Sequence, residues 1–260
     1  MAQTSSASSA KASFAPVFIE LSMTLKNIFN STTLKMNTDL MDKNLLPSES
    51  PYNSQVTMGE NCKHIVQWVH FEVGTRKGNK LLSSFDGLLT SEGRIIAPSC
   101  NETGFTTVIK SDQLLSMIVF IPGYLKFKVN LPATDPTKPR KITMDFSKNI
   151  HGVAPYLNEN NALVSAFIQI PGTNYYSPRV GDVNADGVID IKDSHEILAV
   201  LGGADFTATK VLMYSPADLG YDGMVSYVGR ANDNVKLMEA LGISGDVWKK
   251  SIRYLGESFR

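Results

Sequence analysis

The sequence predicts a mainly β fold with a small α domain at its carboxyl end: a β-sandwich followed by a pair of calcium loop–helix units. Three observations support this prediction. Short runs rich in Val, Ile, Phe and Trp recur between residues 17 and 147, separated by turns that contain Gly, Pro, Asn and Asp. Residues 182–193 have the spacing of a calcium-binding loop, and an incomplete second copy begins at residue 218.

Eight strands are predicted in the first part of the chain. Short β-branched and aromatic runs at such intervals are typical of two sheets packed face to face. Residues 27–47 lie between the first two strands and have apolar residues without a regular period, so we expect a long connection with one helical turn. The predicted strands are 17–25, 65–73, 80–89, 94–96, 106–109, 114–121, 125–131 and 141–146.

The chain has room for one larger and one smaller domain. At 260 residues it can form a core domain of about 150 residues and a small one. We predict a flexible lead-in over residues 1–16, a β-sandwich over 17–150, a connecting segment over 151–178 and a calcium-binding domain over 179–260. The lead-in is rich in Ser and Ala and lacks the apolar core of a signal peptide.

Charge and hydropathy argue against two classes of partner. The 25 Lys and Arg residues balance the 25 Asp and Glu residues, so we expect no electrostatic attraction to nucleic acid or to an anionic membrane. The longest apolar stretch, from Leu114 to Ile121, is much shorter than the roughly 20 residues of a membrane helix. We therefore expect no membrane span, and we interpret this stretch as a buried strand.

The first loop, residues 182–193, places oxygen-bearing side chains at loop positions 1, 3, 5, 9 and 12. Calcium takes six to eight hard oxygen ligands, and a chain that wraps a small ion turns alternate side chains inward. Gly187 at position 6 permits the sharp turn that the loop needs. The predicted ligands are Asp182, Asn184, Asp186, the backbone carbonyl of Val188, Asp190 and Asp193.

A second loop begins at Asp218, and the sequence does not decide whether it binds a second calcium ion. It has Gly220 at position 3 and Gly229 at position 12, where no side chain is present to bind a metal. Asp233, a few residues later, can stand in for position 12 if the loop is longer by about one turn. The predicted ligands here are Asp218, Asp222, the backbone carbonyl of Met224 and Asp233.

Each loop is followed by a predicted helix, and no helix is predicted before loop 1, where Pro178 interrupts the chain. We expect one apolar face of Ile197, Leu198 and Leu201 and another of Val235, Met238 and Leu241 to pack on each other. A calcium loop with only a following helix resembles the type I dockerin repeat, which occurs in pairs. The resemblance implies calcium binding.

Dockerins bind cohesin modules largely through loop positions 10 and 11, which are often small or hydroxylic residues. Here these positions are Ile191–Lys192 and Tyr227–Val228, which differ from that pattern. We therefore expect calcium binding, as the resemblance implies, and either a cohesin-like protein or a carbohydrate as the partner.

The order of short motifs along the chain is similar to the carboxyl-terminal parts of large secreted surface proteins of gliding bacteria. The chain departs from that pattern at Gln67, where an Asp is usual, and over Lys126–Asn130, where a His-rich strand is usual. The resemblance implies an extracellular or cell-surface location and an adhesive or anchoring role. The matching segments are Phe29–Asn30, Met36, Leu45–Pro47, Pro51–Tyr52, Ile65–Val69, Gly123–Tyr124, Asn161–Ala162, Gly181–Asn184 and Gly229–Asp233.

Two functions are consistent with these features. The first is a non-enzymatic extracellular calcium-binding module for adhesion, anchoring or contact with carbohydrate or protein. The alternative is a dockerin-bearing carbohydrate-active enzyme that hydrolyses polysaccharide, which needs two carboxylates across a cleft. The sequence shows no nucleophile, zinc-protease or nucleotide-binding motif, so we assign no catalytic residue. Cys62 and Cys100 are the only cysteines, and the sequence leaves open whether they pair.

Overall fold

A computed structural model describes residues 14–110, 114–133, 140–203, 208–229, 232–242, 250–255 and 258. Most of the predicted lead-in, residues 1–13, lies outside the described residues. In chain order the strands are β1 Phe14–Ser22, β2 Phe29–Asn30, β3 Lys35–Met36, β4 Ile65–Thr75, β5 Leu81–Thr90, β6 Arg94–Ile96, β7 Phe105–Lys110, β8 Leu115–Phe120, β9 Phe127–Asn130, β10 Arg140–Asp145, β11 Tyr156–Asn158, β12 Leu163–Val164, β13 Phe167–Gln169, β14 Tyr176–Pro178, β15 Val188–Ile189, β16 Thr209–Val211, β17 Met224–Ser226 and β18 Ile252–Arg253. The helices are α1 Asp39–Asp42, α2 Ile191–Val200 and α3 Asp233–Leu241, with a 3-10 turn at Lys26–Ile28.

The fold is mainly β, as predicted, and all eight predicted strands are present as β1 and β4 to β10. They do not form two separate sheets, however. They belong to one continuous hydrogen-bonded sheet in the order β10-β1-β6-β5-β4-β8-β9, and β7 pairs with β1. The strands β6 and β7 share one edge of β1, whereas β10 runs parallel to β1 on its other edge.

The sheet encloses its core by curling. Its central strand β4 is buried on both faces from Ile65 to Val69, which is expected where a strand has apolar neighbours on two sides. Phe127 of the edge strand β9 lies 5.1 Å from Phe146, which directly follows the opposite edge strand β10. The ring of Phe167 packs 4.8 Å from Phe127. These three rings connect the two edges of the sheet.

The carboxyl-terminal part shares this core. Ile189, Ile197 and Leu237 belong to the same buried cluster as the sheet residues. Tyr221 donates a hydrogen bond to the carbonyl of Pro122 at 2.5 Å, and Tyr214 donates one to Gln67 at 2.8 Å. The predicted domain boundaries stay a prediction, but the sheet and the loop–helix units pack as neighbours.

The two cysteines form a disulfide bridge. Cys62 precedes β4 and Cys100 follows β6, with their Cα atoms 5.3 Å apart. The adjoining segments are also held together by the backbone hydrogen bond from Gly59 to Pro98, at 2.9 Å. The bridge therefore fixes the start of β4 against the β6–β7 connection.

The helices α2 and α3 contact each other. The hydroxyl of Ser194 on α2 donates a hydrogen bond to Oδ1 of Asn234 and forms another with the hydroxyl of Tyr227, both at 2.8 Å. The predicted face of α2 is correct for Ile197 and Leu201, which are buried. The predicted face of α3 is wrong at Val235, which is 36% exposed, because Leu237 is the buried residue in its place.

Segment 252–253 at the carboxyl end is a strand, β18, which pairs with β11 and with β15 inside loop 1. No helix in the described part of the chain has the length and apolar character needed to cross a membrane.

Candidate metal site

Loop 1, residues 182–193, has a conformation set by its own polar side chains. The carboxylate of Asp182 accepts a hydrogen bond from the backbone N–H of Gly187 at 3.1 Å. Asn184 accepts from Asp186 at 2.9 Å, and Asp186 accepts from Val188 at 2.8 Å. Gly187 has a φ of +86°, the left-handed conformation that glycine adopts without strain. These bonds between side chain and backbone turn the chain into a tight ring.

The two last ligand positions of loop 1 also form the start of α2. Asp190 is the N-cap and accepts from Lys192 at 2.7 Å. Asp193 accepts from Asp190 at 2.9 Å and from Val183, at the other end of the loop, at 2.7 Å. Asp193 thus joins both ends of the loop, and the positive end of the helix dipole faces these carboxylates.

One carboxylate oxygen in loop 1 lacks any partner. Asp182 is only 3% exposed, and its Oδ1 atom is buried without a hydrogen bond. Burial, and then the charges of Asp193 and Asp186, raise the pKa of Asp182 to about 7. Burial likewise raises the pKa of Asp193 to about 6. A buried acceptor without a partner is costly, and a cation at this point would satisfy it.

The donor set of loop 1 fits calcium by its chemistry. Among the described residues, no group of three or more His, Cys, Asp or Glu side chains is positioned to hold a metal ion, so the four Asp carboxylates of loop 1 do not converge on one point in this structure. Two of the expected ligands are of other kinds, the amide oxygen of Asn184 and the carbonyl of Val188. The carboxylates that accept a backbone N–H keep free lone pairs. The fit therefore depends on these oxygen donors together with the unpartnered Oδ1 of Asp182.

Loop 2, residues 218–233, repeats the same frame. Asp218 accepts from Gly223 at 2.7 Å, as Asp182 does from its glycine in loop 1. Asp222 accepts from Met224 at 2.9 Å, as position 5 does from position 7 in loop 1. The two loops do not pair with each other, since β15 of loop 1 pairs with β18 and β17 of loop 2 pairs with β16.

Asp233 occupies in loop 2 the place that Asp193 has in loop 1. It accepts from Leu219 at 2.9 Å and from Ser226 at 2.9 Å. Leu219 and Ser226 are loop positions 2 and 9, and the same two positions donate to Asp193 in loop 1. The longer loop thus brings Asp233 to position 12, as the sequence suggests.

The two loops differ in how fully their first carboxylate is hydrogen bonded. Both oxygens of Asp218 have partners, because Oδ1 accepts from Gly220 and from Asp222, each at 3.2 Å. Asp233 in turn accepts from the ammonium of Lys236 at 3.1 Å. Burial raises the pKa of Asp218 to about 7 and raises the pKa of Asp233, where Lys236 opposes the shift.

A pocket of about 220 Å³ lies between the sheet and loop 1. Its wall is largely apolar and includes four aromatic residues, and its charged lining residues are Lys126 and Asp182. Tyr214 also carries a hydroxyl, which donates to Gln67. The pocket lining includes Tyr52, Phe120, Tyr124, Lys126, Asp182 and Tyr214.

The aromatic wall is supported from beneath. Tyr52 stacks on the ring of His70 with the centroids 5.2 Å apart, and Phe120 lies 5.5 Å from the same ring. His70 itself is held by Asp86, at 2.6 Å between Nδ1 and Oδ1. The ammonium of Lys126 lies 5.9 Å from the Phe120 centroid. The wall is therefore pre-formed.

A second, more open groove of about 460 Å³ runs along β5 and β7. It is lined by Phe85 and Phe105 and includes two carboxylates, Asp86 and Glu102. Asp86 is only 8% exposed and hydrogen bonded to His70. Asp86 and Glu102 are therefore two acidic residues that line the same groove.

The chain matches none of the family models, curated proteins or solved structures with which it was compared. The sequence indicates the candidate ligands of loop 1 and the position of Asp233 at the end of loop 2, but it does not indicate the pocket. The walls of the pocket come from residues far apart in the chain, such as Tyr52, Phe120 and Tyr214, which share no sequence motif.

Proposed function

We propose that this chain is an extracellular, non-enzymatic calcium-binding module, in which loop 1 holds a calcium ion that stabilises the fold beside a carbohydrate-binding pocket. The observation that supports this most directly is the buried, unpartnered Oδ1 of Asp182 within a loop of five oxygen-bearing side chains. When bound, calcium supplies a positive charge to this oxygen and to the nearby carboxylates.

The expected calcium affinity suits an extracellular location. Loop 1 lacks the long bidentate Glu of regulatory loops and has Asp193 at position 12, and α2 begins directly inside the loop. Extracellular calcium modules work at about 10⁻⁴ to 10⁻³ M. The disulfide between Cys62 and Cys100 also favours an oxidising compartment.

A sugar is the ligand that we propose for the pocket. A sugar ring presents flat C–H faces and a rim of hydroxyl groups, and the pocket is lined by aromatic rings together with the side chain of Lys126. The ammonium of Lys126 can donate hydrogen bonds to sugar hydroxyls, while the carboxylate of Asp182 is left to the proposed calcium ion.

A cohesin-like protein is less well supported as the partner. Tyr227, at loop position 10 of loop 2, makes a hydrogen bond with Ser194 inside the molecule at 2.8 Å. The matching residue in loop 1, Ile191, is only half-buried and begins α2. Neither position presents the small or hydroxylic surface on which the resemblance to dockerins would rely.

Glycan binding tests this function. The purified chain is applied to an array of polysaccharides and oligosaccharides with calcium and after chelation. We expect binding without cleavage, and we expect Tyr52→Ala to weaken it about tenfold because one wall of the pocket is lost. Tyr175→Ala is the control, since Tyr175 packs against Phe29 and does not line this pocket. Failure to bind any glycan, or capture of a cohesin-like protein instead, would overturn the carbohydrate part.

The alternative of a polysaccharide hydrolase is favoured by one observation, the presence of both Asp86 and Glu102 among the residues that line the groove along β5 and β7. In that case the array would show bond cleavage, and Glu102→Gln would abolish it. Cleavage that depends on Glu102 would contradict a non-enzymatic module.

The raised pKa values in loop 1 predict how calcium and pH interact. The folded chain without calcium binds protons on Asp182 and Asp193 more tightly than the unfolded chain does. Its stability therefore falls as pH rises from about 4 to 7. Calcium requires both groups ionised, so protons compete with it. We expect the calcium-induced rise in Tm to be larger at pH 8 than at pH 5. Thermal unfolding at both pH values measures this, and an equal rise would contradict the assignment.

A further inference from the structure

Loop 2 contains a positive charge of its own. The ammonium of Lys236, in the first turn of α3, lies 3.1 Å from Oδ1 of Asp233. The side chain of Lys236 is 16% exposed and that of Asp233 is 2% exposed. The carboxylate at position 12 of this loop therefore already has a largely buried cationic partner.

The ammonium occupies the space in which a position 3 side chain would lie. A Cβ atom added to Gly220 would collide with Nζ of Lys236 and would lie 3.3 Å from its Cε. The same Cβ would lie 3.7 Å from Oδ1 of Asp218. The glycine at position 3 is thus more than a missing ligand, because its lack of a side chain makes room for Lys236.

A second lysine adds to the positive charge around loop 2. Lys43, directly after α1, donates a hydrogen bond to the backbone carbonyl of Asp222 at 2.5 Å. Both oxygens of Asp218 are engaged with backbone N–H groups. A calcium ion entering loop 2 would therefore have to displace a buried ammonium from Asp233 and approach a second lysine.

Loop 1 has the opposite arrangement. Three residues after its position 12 carboxylate, the residue that matches Lys236 is Glu196, which is exposed. Position 3 is Asn184, and Oδ1 of Asp182 has no partner. Lys126 is also close to this loop, since a Cβ on Gly187 would lie 3.7 Å from its Nζ, and its charge opposes the rise in the pKa of Asp182. Its ammonium lies over aromatic rings, however, and none of the ion pairs found among the described residues includes it.

We propose that the side chain of Lys236 replaces calcium in loop 2, so that the chain binds one calcium ion and supplies the second cation itself. The stability of loop 2 is then independent of calcium concentration, whereas loop 1, which already has its loop conformation, gains stability from the ion. The stoichiometry of one rests on the proposed function of loop 1, but the role of Lys236 does not.

Counting calcium ions tests the proposal. Isothermal titration calorimetry and native mass spectrometry of the full chain are expected to show one ion. The double variant Gly220→Asn, Lys236→Glu gives loop 2 the pattern of loop 1, and we expect it to bind two. The reciprocal double variant Asn184→Gly, Glu196→Lys gives loop 1 the pattern of loop 2, and we expect it to bind none.

A stability measurement separates the lysine from the calcium. In calcium-free buffer, Lys236→Met is expected to lower Tm by several degrees because a buried carboxylate loses its cation. Two ions bound by the wild-type chain, or a Lys236→Met variant with unchanged Tm, would overturn the proposal. If the wild-type chain binds no calcium while Lys236→Met is destabilised, the function proposed for loop 1 fails and the role of Lys236 stands. If Lys236→Met does not fold, the wild-type stoichiometry still decides.

Discussion

Replacing Asp182 with alanine is expected to remove the calcium-dependent part of the stability of this protein. Asp182 is the first candidate calcium ligand of loop 1 and is almost fully buried. At a calcium concentration 100-fold above Kd, a bound ion stabilises the folded state by about 2.7 kcal/mol. The variant should lose this contribution together with the hydrogen bond to Gly187, which contributes about 1 kcal/mol.

The same substitution should have little effect when calcium is absent. Without the ion, the folded chain contains a buried carboxylate oxygen without a partner, close to the charges of Asp193 and Asp186. Alanine removes that unfavourable group, which offsets the lost hydrogen bond to Gly187. The expected result is a large loss of stability in calcium and a change near zero in chelator, a difference that an ordinary core defect would not produce.

Asp218→Ala is the matched control, because it removes the same loop position from loop 2. Asp218 accepts three backbone N–H groups, from Gly220, Asp222 and Gly223. We expect it to lower stability in both buffers and to leave the calcium-induced increase intact. Urea unfolding of the two variants with and without calcium measures both effects. An Asp182→Ala variant that loses equal stability in the two buffers would contradict calcium binding at loop 1.

Local patterns predict the local structure of this chain well. The strand β4 is recognisable because Val, Trp and Phe follow one another over a short run, and such residues favour an extended chain. The helix α2 is recognisable because Ile197 and Leu201 are one turn apart and Gly202 follows. Each of these signals comes from residues that are close in sequence.

Such local patterns do not predict which distant segments pair with each other. The parallel pairing of β1 with β10 joins Val17 to Arg140, and nothing in either run specifies its partner. The single curled sheet follows from that pairing and from β6 and β7 sharing one edge of β1. The spacing of apolar and basic residues over 246–255 predicts a short helix, and this prediction is wrong at Ile252–Arg253, which form a strand by pairing with β15.

The candidate site also has features that local sequence predicts and features that depend on the fold. The sequence can propose a set of calcium ligands in loop 1 because all the candidates lie within twelve residues. Helical spacing predicts that Val235 lies on the buried face of α3. In the fold, Val235 is exposed and Leu237 is buried instead. The pairing of Asp233 with Lys236 at a spacing of three is visible in the sequence. Its role in loop 2 depends on the position of the Lys236 ammonium beside Gly220, which only the fold shows.

Removing the disulfide is expected to cost about 4 kcal/mol of stability. The bridge closes a loop with a sequence separation of 38 residues, and loop entropy gives this magnitude for the unfolded chain. The double variant Cys62→Ser, Cys100→Ser should therefore unfold at lower urea than the wild type. A reducing agent should lower the stability of the wild-type chain by a similar amount and should leave the double variant unchanged, which separates the bridge from side effects of the substitutions.

The calcium-induced increase in stability should survive loss of the bridge. Cys62 and Cys100 lie at the start of β4 and after β6, and they share no hydrogen-bond partner with Asp182 or Asp193 among the described residues. Contributions from groups without shared partners usually add. Measuring the calcium effect in the double serine variant tests this. Equal stability of oxidised and reduced wild-type chains would contradict a stabilising bridge. Loss of the calcium effect on reduction would show instead that the bridge and loop 1 are coupled through the sheet between them.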